Sequence, residues 1–130
     1  MLITLISVIF IYKTIKSNET LNQRILFSNI TKEERESRIK LNEYRDKINS
    51  EEKGFEEIVF DYDTLLFNYY EYVAICISKK LIKESDAKLY FKTLLKSVKE
   101  RFDSSLMFKE NYAKQEEYPG IQWLFKKWKV

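Results

Sequence analysis

No histidine occurs anywhere in the 130 residues. That absence removes the usual component of imidazole acid–base catalysis, of histidine-activated serine and cysteine nucleophiles, and of the commonest zinc sites. Turn-forming residues are nearly missing too, with two glycines and one proline. Sandwiches and barrels need frequent punctuation by such residues, so the chain reads as all-α, a small bundle of long uninterrupted helices. A single cysteine, Cys76, lies in the apolar run Tyr72-Val73-Ala74-Ile75-Cys76-Ile77. One thiol cannot make an intrachain disulfide, and in such a run it behaves as a small hydrophobe. An excess of charge is lacking as well: 23 basic side chains face 20 acidic ones, for a net charge of +3. An obligate nucleic-acid binder relies on phosphate neutralisation, so no nucleic-acid partner is expected.

What the chain does have is apolar residues, 45 % of the total, which is ample for the core of one domain. They are unevenly distributed. Leu2 to Tyr12 carries no charge, and Lys13, Lys16 and the polar stretch Ser17-Asn18-Glu19-Thr20 follow. Eleven helical residues at about 1.5 Å each cover only about half of a hydrocarbon core some 30 Å thick, so a full span would be strained. The segment has no basic region before it and no small-residue cleavage pattern after it, which argues against a removed signal peptide. The side chains assigned to membrane contact are Leu2, Ile3, Leu5, Ile6, Val8, Ile9, Phe10, Ile11 and Tyr12. Positive charges following the apolar run place the body of the protein on the cytoplasmic side of a bacterial inner membrane if the segment inserts. The alternative is a soluble homo-oligomer in which the same segment is a subunit interface.

Three regions follow: an apolar membrane segment over 1–16, a charged helical connector over 17–54 and a helical bundle domain over 55–130. Within the connector, Thr31-Lys32-Glu33-Glu34 has the form of a capping box and predicts a new helix or a kink at Thr31. Asn49-Ser50-Glu51-Glu52-Lys53-Gly54 reads as a turn. From Phe55 to Leu81 two apolar stripes advance at helical spacing, one through Ile58, Tyr62, Leu65, Tyr69, Tyr72 and Cys76 and the other through Val59, Leu66, Tyr70, Val73 and Ile77. The remaining face holds Glu57, Asp61, Thr64, Asn68, Glu71 and Ser78. A third helix capped by Ser85 presents Phe91, Leu94, Leu95, Val98, Phe102 and Leu106, and a short final helix presents Ile121, Leu124, Phe125 and Trp128.

Asn68-Tyr69-Tyr70-Glu71-Tyr72, followed by an amphipathic helix and then Tyr118-Pro119-Gly120-Ile121-Gln122-Trp123-Leu124-Phe125-Lys126-Lys127-Trp128, resembles a prokaryotic family of unknown function, the one numbered four-seven-six-zero. The likeness covers about the C-terminal half of the chain. It implies a small helical protein with an N-terminal membrane segment and supplies no chemistry.

No catalytic, cofactor or metal residues are assigned. Asp61, Asp63 and Glu71 are spaced unlike an EF-hand loop and read as solvated helix face. Asn68 and Glu71, three apart, instead form a candidate polar pair that sets the register between facing helices. The function expected from the residues is therefore non-enzymatic. It is a membrane-associated, self-assembling helical protein, a membrane-perturbing or channel-like effector or regulator in bacterial defence against phage. Its expected partners are the bilayer, further copies of itself and a cytoplasmic protein or signal.

Overall fold

The structure is a computed structural model that describes residues 2–49 and 55–130, with side chains described for all of these but 2–5, 48, 49 and 55. The predicted turn over 49–54 therefore lies almost wholly outside the described residues, as do the side chains of Leu2, Ile3 and Leu5. The elements are α1 (Leu2–Asn49), α2 (Phe55–Ser78), α3 (Glu84–Ser104), α4 (Leu106–Lys109), a 3-10 turn (Gln115–Glu117) and α5 (Pro119–Trp128). No strand occurs among the described residues, so the chain is all-α.

Helix α2 is the hub, contacting α1, α3, α4 and α5. Its buried line runs through Val59, Asp63, Phe67, Tyr70, Val73, Ala74 and Ile77, close to the second of the two predicted stripes. Most of the first stripe lies at the edge of the interface, with Ile58, Tyr62, Leu65 and Tyr69 half-buried and Tyr72 exposed, while Cys76 at its end is buried. Phe67 sits at the centre, its ring against Phe102, Phe108 and Tyr118 at centroid distances of 5.1, 5.6 and 5.7 Å. Helix α3 buries Ala87, Phe91, Leu95, Val98 and Phe102, and α5 buries Ile121, Leu124, Phe125 and Trp128. Helix α3 starts at Glu84 with Lys83 at its N-cap, so Ser85 falls inside the first turn rather than capping it.

Helix α2 ends in a Schellman motif. The N–H of Leu81 donates to the Cys76 carbonyl at 2.9 Å, and that of Lys80 to Ile77 at 3.0 Å, with Lys80 in the left-handed region at φ 58°. From this turn the Lys80 carbonyl accepts from the Gln23 side chain at 3.1 Å, which fixes the point where α1 meets the bundle.

Helix α1 corrects the expectation for the connector. No new helix begins at Thr31; the 48 residues form one helix. The Thr31 hydroxyl donates to the Ser28 carbonyl at 3.0 Å, the bond of a mid-helix threonine, rather than capping a following turn. Ile30, Thr31, Glu34 and Leu41 are buried, so this stretch of the expected connector is part of the core.

Candidate functional site

Two regions of the molecule are shaped for interaction. The first is the N-terminal part of α1. Every residue from Ile6 to Asn22 is exposed, and the first half-buried one is Gln23. The helix therefore leaves the bundle as an arm of 21 residues, Leu2 to Asn22, about 31 Å long at 1.5 Å per residue. Near its end Ile6, Val8, Ile9, Phe10, Ile11 and Tyr12 all face solvent, Phe10 at 70 % of its full area. At 100° per residue these side chains surround the helix on every side. Lys13, Lys16 and Arg24 follow, all exposed. No helix among the described residues is long and apolar enough to cross a membrane, because α1 acquires charge soon after Tyr12. The described part of α1 thus gives no candidate span for this segment.

The second region lies between α1, α2 and α3. Glu34, only 5 % exposed, takes a hydrogen bond from Arg38 Nε at 3.0 Å and another from the Tyr90 hydroxyl at 2.9 Å, which ties α1 to α3. The Arg38 guanidinium is held further above its already high range, chiefly by that bond to Glu34. Tyr69 donates to the Ile30 carbonyl at 2.8 Å, a bond from α2 to the backbone of α1. Beside these contacts is a cavity of about 210 Å³. Its apolar wall is Leu41, Leu65, Leu66, Leu94 and Val98, and polar atoms come from Glu34, Arg38, Arg45, Tyr62 and Tyr70, with Ser37, Asn42, Tyr69 and Ser97 also in the lining. Burial raises the phenol pKa of Tyr69 and Tyr70 well above the ordinary value of 10, so both stay protonated donors.

The residues singled out from sequence are distributed differently. Asn68 is exposed, and Glu71 forms no pair with it. The Glu71 carboxylate instead accepts the backbone N–H of Gly120 and of Ile121, each at 2.7 Å, capping the start of α5. A β-carbon at Gly120 would lie 2.8 Å from Glu71 Oε1, so only glycine allows this approach. The α2 segment around Glu71 and the start of α5 are therefore bonded to each other.

Asp63 is not solvated face: it is 1 % exposed, accepting hydrogen bonds from Arg101 Nε and from the Ser105 hydroxyl. Arg101 also lies over the Tyr62 ring, 4.1 Å from its centre. Ser105 in turn accepts the Met107 N–H and caps α4. The sequence signal for this pair is faint, an aspartate in register with the apolar stripe and the one arginine after residue 45. Cys76 is buried, and burial raises its pKa, the state of an unreactive thiol. Among the described residues no group of three or more acidic or cysteine side chains is placed to hold a metal ion. Comparison with family models, with curated proteins and with solved structures found no match to this chain.

Proposed function

We propose that the protein is a non-enzymatic, membrane-associated helical module that inserts the end of α1 into one leaflet and holds its bundle away from the surface. The observation that carries this reading is the arm, whose apolar side chains surround the helix instead of forming one stripe. A helix that packs on a single partner needs one apolar face, whereas one that is apolar all round requires an apolar medium. Residues 2–12 rise about 16 Å, the depth of one leaflet of a core about 30 Å thick. Lys13 and Lys16 then stand at headgroup level, where each basic side chain contributes about 1 kcal/mol on an anionic surface. Burying the six exposed apolar side chains from Ile6 to Tyr12 contributes on the order of 1 kcal/mol each, since each is about half exposed at the outset. Their sum is enough for reversible attachment.

A second reading, that copies of the protein bury the arms against one another, is favoured by the same apolar surface and separates cleanly in one experiment. The full chain and a chain beginning at Ser17 are each sedimented with phosphatidylcholine vesicles, with and without phosphatidylglycerol, and their masses in solution are measured. The expected result is that the full chain sediments, more strongly with the anionic lipid, while the shortened chain stays in the supernatant. If neither sediments and shortening lowers the mass from oligomer to monomer, the arm is a subunit interface and the membrane reading fails.

A further inference from the structure

The cavity between α1, α2 and α3 lies at the far end of the molecule from the arm. Leu41 in its wall is 31 residues from Phe10 on the same helix, about 46 Å along the axis. Whatever occupies it comes from solution rather than from a membrane held by the arm.

Several of its polar groups make no side-chain hydrogen bond or ion pair among the described residues, and Tyr70 and Arg45 are the ones that matter for charge and burial. Tyr70 is only 4 % exposed and lines the cavity, yet its hydroxyl makes no hydrogen bond. No buried side-chain nitrogen or oxygen among the described residues is both sealed from solvent and unpaired, so this hydroxyl reaches solvent, and the cavity is the opening its side chain lines. Arg45 lines the same cavity and forms no ion pair among the described residues. The acid in the wall, Glu34, is already taken by Arg38 and Tyr90. Among the described residues of the wall this leaves one unpaired cation, Arg45, beside hydroxyl and amide groups, and no unpaired acid. The apolar part of the wall is aliphatic, from Leu41, Leu65, Leu66, Leu94 and Val98, and the space equals about seven waters at ~30 Å³ each.

From this arrangement we infer that the cavity binds a small organic carboxylate with an apolar body, its carboxylate taken by Tyr70 and Arg45 and its body set against Leu41, Leu65 and Leu94. The chemistry is that of ligand pockets generally, an apolar lining with a few convergent polar groups. A carboxylate matches the Tyr70 hydroxyl and the Arg45 cation, whereas an amine would face Arg45 and an uncharged body would gain no charge-assisted bond from it. Because the wall is built from three helices, the ligand bridges α1 to α2 and α3. The inference does not depend on the membrane reading.

The test is calorimetric titration of the full chain with phenylacetate, benzoate and hexanoate, and with phenylacetamide as the uncharged counterpart. At least one carboxylate is expected to bind saturably, at one per chain, and phenylacetamide at least tenfold more weakly than phenylacetate. Tyr70→Phe, which keeps the ring, and Arg45→Gln, at an exposed position, are each expected to weaken binding by about fivefold or more. Methyl chemical-shift changes at Leu41 and Leu94 would place the ligand in the cavity. Absence of saturable binding by all three acids, equal binding of the amide, unaltered affinity in both variants, or shift changes confined to other helices would each overturn the inference. None of these results bears on vesicle sedimentation, so the two readings fail separately.

Discussion

At the scale of single residues, the contact between Glu71 and Gly120 makes a prediction whose sign depends on its partner. With Glu71 in place, Gly120→Ala must push the carboxylate away from the two N–H groups it caps. Two charge-assisted bonds outweigh the gain of about 1 kcal/mol that alanine brings in a helix, so a net loss of about 1–2 kcal/mol is expected in urea unfolding. Combined with Glu71→Ala, the same substitution should become neutral or stabilising, and a double-mutant cycle reads the difference. Tyr69 and Tyr70 set a second expectation, for alkaline stability. Their folded pKa values lie above the unfolded value of about 10, so the folded protein retains protons that the unfolded chain gives up. Their contribution is complete below pH 10 and is lost as pH rises above it. Thermal melts should show a falling Tm from about pH 10 upward, with a smaller fall in Tyr69→Phe.

At the scale of elements, the end of α2 is the clearest point for improvement. Lys80 holds φ 58°, where a side chain costs about 1–2 kcal/mol that glycine avoids. Lys80→Gly should raise stability by about 0.5–1 kcal/mol after the extra freedom of the unfolded glycine is subtracted, without disturbing the backbone carbonyl that Gln23 bonds. Elements were also where sequence reading was most and least successful. Phe91, Leu95, Val98 and Phe102 of α3 and the four buried residues of α5 followed directly from apolar spacing, whereas Leu106, expected on the same face, lies in α4 and is exposed. The start at Thr31 was misread because Thr-x-x-Glu describes a capping box and a mid-helix threonine equally well. Only tertiary contacts, here Glu34 with Tyr90, choose between them. Asp63 was misplaced for a related reason: a lone charge reads as solvent-facing, and its partner Arg101 is 38 residues away. Phe67, the central ring of the core, was hidden between the two stripes assigned to α2. The cavity had no sequence signature, because its wall is assembled from three separate helices.

At the scale of the whole molecule, the arm and the bundle differ in what holds them. No residue from Ile6 to Asn22 is buried, whereas the core begins at Ile30 and ends at Trp128. A chain beginning at Ser17 is therefore expected to melt within a few degrees of the full chain in the absence of lipid, because residues 6–16 contribute helix but bury no side chain. A large drop in Tm would mean that the arm packs against something in solution. The two halves are nonetheless one piece of helix. A tilt of about 5° where α1 leaves the bundle at Gln23 sweeps Phe10, about 20 Å away, through about 2 Å. The continuous helix is a lever whose fulcrum is the Gln23–Lys80 contact, so a force on the apolar tip returns as torque on the bundle.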